Sequence, residues 1–246
     1  MTAHDFASGR SAPDVRVLER SLIADELAID LEAEARAALA LRPTFTLAIP
    51  GGSVATLCFP RLARLGLDWS RVDVFQVDER AVPVDDSESN FGRAKTLWLY
   101  PAGFPHARIH RMRADSPDLA DAARDYAHEL ETVAGEPPRL DYVLLGVGPD
   151  GHVGSLFPGH PALHDHRTVL AIKGAPKPPT HRITLSMPVL LNASRVAIVA
   201  YGEEKAAVIH AALHDPDSDL PVARVAQRSQ RCLVLIDPAA GAGSRI

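Results

Sequence analysis

The chain alternates short apolar runs with segments of helical period, and that alternation limits its fold more than any other property of its 246 residues. Phe45-Thr46-Leu47-Ala48-Ile49, Val72 to Val77 and Tyr142 to Val147 are compact apolar runs, each halted by glycine, proline or charge. Between them, residues 21 to 41 carry Leu22, Ile23, Leu27, Leu31, Ala35, Ala38 and Leu39 at helical spacing, and Leu57, Leu62 and Leu65 resume that spacing after Pro50-Gly51-Gly52-Ser53. Ser89 to Tyr100 and Glu203 to Leu213 read as further helices. Ser116-Pro117 predicts an N-cap followed by proline at the first helical position, opening a helix to about Val133. Val15 to Leu18, Val169 to Ile172, Arg182 to Leu185, Val196 to Tyr201 and Cys232 to Ile236 complete the strand candidates. Strands alternating with helices predict an α/β domain whose sheet is mainly parallel and covered on both faces.

A hydrophobic content of 46% with 23% charged residues suffices for one large core, so residues 1–246 are expected to form a single domain, with 1–13 and 240–246 as flexible tails. The net charge of -5 provides no basic field to hold a polyanion, and no nucleic-acid partner is expected. Met1-Thr2-Ala3-His4-Asp5-Phe6-Ala7 has neither a basic start nor an apolar run. No later segment approaches the roughly 18 apolar residues of a membrane span, so the reading is cytoplasmic, with no membrane partner, as a monomer or small homo-oligomer. Cys58 and Cys232 lack the paired spacing of a zinc or redox site and read as core thiols.

In open parallel sheets ligands bind beyond the carboxyl ends of the strands, which directs attention to the segments following the strand candidates. Gly51-Gly52-Ser53 lets backbone N–H groups approach an anion at a helix start, although alone it reads first as a tight turn. Asp78-Glu79-Arg80, with Ser89-Asn90 at the next helix start, gathers two acids and a guanidinium at one strand end; in isolation this is a surface ion pair. Gly146-Val147-Gly148-Pro149-Asp150-Gly151-His152 bends sharply between a buried strand and an expected new helix, and presents Asp150 and His152 together. Here chemistry is the leading reading: a neutral imidazole can take a proton from water while a carboxylate fixes its tautomer. Lys205, at a helix start, stands slightly above a solvated surface lysine. Lys177, in Ala175-Pro176-Lys177-Pro178-Pro179-Thr180-His181-Arg182, stands level with one.

These segments, in their order from about Thr46 to Leu213, resemble the 6-phosphogluconolactonases, in the superfamily that also contains glucosamine-6-phosphate deaminases. The carriers are Ile49-Pro50-Gly51-Gly52-Ser53, Val77-Asp78-Glu79-Arg80-Ala81-Val82-Pro83 with Ser89-Asn90, and Leu145 to His152 with Ser155-Leu156-Phe157-Pro158-Gly159. Pro176-Lys177-Pro178-Pro179 through Arg182-Ile183-Thr184-Leu185, and Gly202-Glu203-Glu204-Lys205-Ala206, extend the match. The resemblance implies a Rossmann-like three-layer α/β/α sandwich, no metal or organic cofactor, and hydrolysis of a sugar-phosphate lactone, 6-phospho-D-glucono-1,5-lactone. It implies His152 as general base, Gly51, Gly52, Ser53 and Lys205 on the phosphate, and Arg80 and Arg182 as active-site cations. Asp78 and Asp150 match acidic positions that the deaminases also use, and Asn90 falls within the matched segments.

Two positions depart from the lactonase pattern. Val153-Gly154 stands where Thr-Ala is common, and Val54-Ala55 where Thr-Pro is common, each change removing a hydroxyl. The deaminases usually carry Asp-Glu-Tyr and Phe-Asn-Glu-Pro where this chain has Asp78-Glu79-Arg80 and Ser155-Leu156-Phe157-Pro158, which favours the lactonase branch. Two alternatives stay open on sequence. One is an aldose-ketose isomerase or deaminase abstracting a proton through Asp78; the other is a non-catalytic sugar-phosphate sensor.

Overall fold

The structure, a computed structural model, describes residues 12–243. In chain order the elements are β1 (Asp14–Val17), α1 (Arg20–Leu41), β2 (Phe45–Ile49), α2 (Gly52–Leu62), β3 (Val72–Gln76), β4 (Asp78–Arg80), α3 (Asn90–Ala94), β5 (Ile109–His110), α4 (Leu119–Ala134) and β6 (Tyr142–Gly146). They continue as β7 (Val169–Ile172), β8 (Arg182–Leu185), α5 (Met187–Asn192), β9 (Arg195–Ala200), α6 (Ala206–His214), α7 (Pro221–Arg228) and β10 (Cys232–Ile236). A seven-stranded sheet runs β1-β10-β9-β6-β2-β3-β5 with every neighbouring pair parallel. A smaller antiparallel sheet runs β4-β8-β7.

Strand pleating explains the layering. Successive side chains of a strand point to opposite faces, so a strand buried on both sides is apolar at most positions on both faces. Leu47, Val74, Leu144, Val199 and Leu235 join one core with Ile23, Leu27 and Leu31 of α1 and Cys58 and Phe59 of α2. Their strand neighbours Ala48, Phe75, Leu145, Ile198 and Val234 join the other core, with Tyr126 and Leu130 of α4, Val222 and Val225 of α7, and Ile183 and Leu185 of β8. The α/β architecture with a mainly parallel sheet covered on both faces is therefore as the sequence pattern predicts. Cys58 and Cys232 are both buried thiols.

Several local expectations are corrected. The N-cap of α4 is Asp118, whose carboxylate accepts from Ala120 N–H at 2.9 Å and Asp121 N–H at 3.0 Å. An anionic cap satisfies two orphan donors and complements the helix dipole, and Ser116 is left to accept from Asp118 N–H in the preceding turn. Asp78-Glu79-Arg80, read as a loop, is a strand of the second sheet. No helix follows His152; residues 153–160 form turns with one isolated bridge between Val153 and Leu156. The helix read over Ser89 to Tyr100 is α3 followed by a wider π turn, Lys95–Leu99. β5, α5 and α7 had no counterpart in the sequence reading. Of the expected tails, 1–11 and 244–246 lie outside the described residues; Ala240 is buried and its N–H donates to Asp237 Oδ1 at 2.8 Å. Among the described residues, no helix is long and apolar enough to cross a membrane.

The strand order creates a switch point. The chain leaves β2 for β3 on one side, and leaves β6 for β9 on the other, although β2 and β6 are neighbours. Connections that diverge from adjacent parallel strands open a crevice at their carboxyl ends, where ligands bind in folds of this kind. The two segments flanking that crevice are Pro50 to Ser53 and Val147 to His152.

Candidate active site

A cleft of about 300 Å³ occupies the switch point. Gly51, Gly52, Ser53, Asp78, Arg80, Asn90, His152, Arg182 and Lys205 all line it, joined by Lys177. Asp150 does not reach the cleft wall, but it is bonded to His152, which does. His152 Nδ1 lies 2.5 Å from Asp150 Oδ1. A carboxylate can only accept, so Nδ1 carries the proton and Nε2 keeps its lone pair. Asp150 Oδ1 also accepts from the His152 backbone N–H at 3.4 Å.

The tight loop makes this pair possible. Gly148 N–H donates to His152 O at 2.9 Å and Gly151 N–H to Gly148 O at 2.9 Å, folding the segment back on itself. A Cβ at Gly148 would fall 2.0 Å from His152 Nδ1 and 2.6 Å from Asp150 Oδ1, so only glycine leaves the imidazole its place. The loop is gripped from below by α7, whose Val222 N–H donates to Gly151 O at 3.0 Å. Val153 is fully buried in the core, so the side chain after the histidine packs rather than facing the cleft.

Burial pushes the His152 pKa below the ordinary histidine value; the Asp150 and Asp78 carboxylates oppose this and the Lys177 ammonium adds to it. The imidazole is thus neutral near pH 7, the form that accepts a proton. Burial works against ionisation of Asp150 too, but His152, through charge and hydrogen bonds, more than offsets it and leaves the carboxyl below its usual range.

Asp78 is buried and held on two sides. Ser155 Oγ donates to its Oδ2 at 2.7 Å, and Asn90 Nδ2 reaches its Oδ1 at 3.2 Å and its backbone carbonyl at 2.9 Å. Glu79, adjacent to it, faces away from the cleft and accepts five hydrogen bonds: from the backbone N–H groups of Arg80, Asn90 and Phe91 and from Gln76 Nε2 and Ser89 Oγ. It therefore ties β4 to the first turn of α3. Burial raises its pKa against these donors.

The remaining lining is cationic. β4 and β8 pair with Arg80 directly opposite Arg182, two guanidiniums on one ladder rung. Like charges in that position repel unless an anion lies between them. Arg80 Nη1 binds Glu88 O at 2.8 Å and Glu88 Oε2 at 3.1 Å, but its Nε is buried with no partner. Arg182 is 4% exposed and donates to two carbonyls, Pro179 O at 2.9 Å and Lys177 O at 3.0 Å, pinning the proline-rich segment over the cleft. Among the described residues it has no carboxylate within salt-bridge distance, and burial lowers its pKa. Lys205 is 12% exposed at the side chain, with burial lowering its pKa, and lies 3.9 Å from Glu204 Oε1.

On the opposite wall, Gly51 and Gly52 form the start of α2. A Cβ at Gly51 would sit 1.6 Å from Asn90 Oδ1, so the backbone there approaches as closely as glycine alone permits. A bare helix N-terminus facing four cations makes the cleft a receptor for a strongly anionic group. Among the described residues no group of three or more His, Cys, Asp and Glu side chains is arranged to hold a metal ion.

Sequence alone gives Ser155 and Glu79 no individual role and sets Lys177 no higher than a solvated lysine. Ser155 meets Asp78 only through the tertiary fold. For Lys177 the available signal was the stiff run of prolines around it, which holds the chain close to the sheet.

The family model described as "Glucosamine-6-phosphate isomerases/6-phosphogluconolactonase" matches residues 19–234. The chain belongs to this family. Among its relatives, the 6-phosphogluconolactonase of Rattus norvegicus is 40% identical over 207 residues, covering 81% of this chain and 80% of the relative. That of Streptomyces coelicolor is 36% identical over 236 residues, 90% of each. The crystal structure of 6-phosphogluconolactonase from Leishmania guyanensis superposes with a TM-score of 0.82 at 27% identity, over 96% of this chain and 100% of that one. A monomeric glucosamine-6-phosphate deaminase superposes with a TM-score of 0.80 at 19% identity, a likeness of fold alone. The glucosamine-6-phosphate isomerase/6-phosphogluconolactonase fold is thus the three-layer arrangement that places the cleft between β2 and β6.

Proposed function

We propose that this chain hydrolyses 6-phospho-D-glucono-1,5-lactone to 6-phosphogluconate, the lactone step of the oxidative pentose phosphate pathway, with His152 as general base. The observation that carries this reading is the Asp150–His152 pair beside a cleft into which Arg80, Lys177, Arg182 and Lys205 are gathered. A δ-lactone is an activated ester, so the protein must position water, stabilise an oxyanion and protonate the departing ring oxygen. His152 Nε2 takes a proton from water as the water oxygen bonds to C1, and the carbonyl becomes an oxyanion. On collapse the bond from C1 to the ring oxygen breaks and Nε2–H returns the proton to that oxygen. One histidine thus serves both transfers, a contribution of typically ~10²–10⁴-fold.

Asp150 holds the tautomer and stabilises the imidazolium formed midway, and Asp78 adds a second negative charge near it. The Arg80 guanidinium, which lines the cleft, is the donor assigned to the oxyanion; Asn90 is not, because its side-chain amide is committed to Asp78. The α2 N-terminus at Gly51, Gly52 and Ser53, with Lys205, holds the phosphate, while Arg182 and Lys177 complete the cationic lining. The reaction is proposed to need no cofactor and to run in the cytoplasm, in a monomer or small homo-oligomer.

The phosphate assignment has a direct test. Lys205→Ala is expected to raise KM for the phosphorylated lactone by about 10-fold or more while changing kcat/KM for glucono-1,5-lactone little, since a charge-assisted contact is worth about 1.5–3 kcal/mol. An equal loss on both substrates would remove Lys205 from the phosphate.

A further inference from the structure

We propose that Tyr201 is a positioning residue that fixes the spacing between the two arms of the phosphate cradle, the Gly51-Gly52-Ser53 turn and the loop carrying Lys205. This rests on the phosphate reading above and extends it to a side chain outside the cleft wall. Tyr201 follows β9 directly, and its hydroxyl donates to Ser53 O at 2.9 Å, bridging the end of β9 to the first turn of α2. A carbonyl oxygen has two lone pairs, so Ser53 can take this bond without giving up a helical one.

The ring is held on both sides. It packs against the core beneath α1 and α2, and the Arg20 guanidinium at the start of α1 lies 4.0 Å from its centroid, covering the other face. The next residue is anchored separately: Gly202 N–H donates to the Asp237 carboxylate at 3.0 and 3.2 Å, and Gly202 O accepts from Lys205 N–H at 3.0 Å. The loop bearing Lys205 is therefore fixed to β10 through Asp237 and to α2 through Tyr201. The second link joins one arm of the cradle to the other.

Tyr201→Phe deletes that hydroxyl and keeps the ring, its packing and the Arg20 contact. Losing one net hydrogen bond that preorganises a site predicts a rise of about 3- to 10-fold in KM for the phosphorylated lactone, with kcat unchanged. The competitive inhibition constant of inorganic phosphate should rise by the same factor. For glucono-1,5-lactone kcat/KM should stay within about 2-fold, because no phosphate is present to be held. A change in kcat alone, or an equal change on both lactones, would overturn the proposal, as would an unchanged KM in a background where Lys205→Ala does discriminate the two lactones. If Lys205→Ala fails to discriminate them as well, the phosphate reading falls and the role of Tyr201 falls with it.

Discussion

Replacing His152 with alanine is expected to lower kcat on the phosphorylated lactone by ~10²–10⁴-fold while leaving affinity for 6-phosphogluconate within a few-fold of wild type. The asymmetry follows from geometry. The cations and the α2 N-terminus that hold the anion are contributed by β4, the segment before β8, β8, α2 and the residues before α6, and none of these depends on the imidazole for its placement. The residual rate should come from orientation and from the oxyanion donor. Wild-type turnover in this variant would take His152 out of the mechanism.

The pH dependence carries the same information. Burial keeps the native imidazole from protonating at the ordinary histidine value of about 6.5. The base is active when neutral, so kcat/KM should be flat through neutrality and fall about tenfold per pH unit only below the lowered pKa, with this acid limb lost in the variant. An acid limb centred above 6.5 would contradict the environment described for His152.

The second large effect concerns the tautomer. Asp150→Asn keeps size and shape but can present an N–H to Nδ1, which shifts the ring proton to Nε2 and removes the acceptor that faces water. In serine protease triads the equivalent error costs ~10⁴-fold. Here the carboxylate is partly exposed, the lactone is more reactive than an amide, and about 10³-fold in kcat is expected. Loss in KM with kcat preserved would mean that Asp150 serves binding instead. Asp150→Ala gives a useful contrast, because it removes the orienting bond without installing a competing donor, and it should retain more activity than the asparagine variant.

How far the sequence alone could have led depends on which forces act locally. The central strands of the large sheet are mostly apolar because both their faces are covered, so runs such as Phe45 to Ile49 and Cys232 to Ile236 are legible as strands. The Gly148 to His152 loop was legible for a similar reason: its glycines and proline can do little but turn. The short strand Asp78–Arg80 was not. Three residues, all charged, carry no periodicity, and they are extended because Arg182 to Thr184 pairs with them from far along the chain. β5 is shorter still, and the residues of α7 gain their reason to be helical from burial against the larger core.

The same division runs through the site. Proximity of Asp150 to His152 was plausible from spacing, whereas the hydrogen bond itself depends on the fold-back at Gly148 and on the grip of α7 upon Gly151. Ser155 on Asp78, Glu79 at the start of α3 and Tyr201 on Ser53 are all tertiary pairings, invisible to any reading of neighbours. Lys177 is drawn into the cleft because the Arg182 guanidinium holds that segment there, by one hydrogen bond to Lys177 O and another to Pro179 O.

A single assay separates lactone hydrolysis from deamination and from binding alone. Freshly generated 6-phospho-D-glucono-1,5-lactone is followed at fixed pH, corrected for spontaneous hydrolysis, with a parallel measurement of ammonia released from glucosamine 6-phosphate. The account predicts saturable acceleration of lactone opening by the wild-type protein and no ammonia. Ammonia release, or binding of the sugar phosphate without any acceleration of lactone opening, would contradict it.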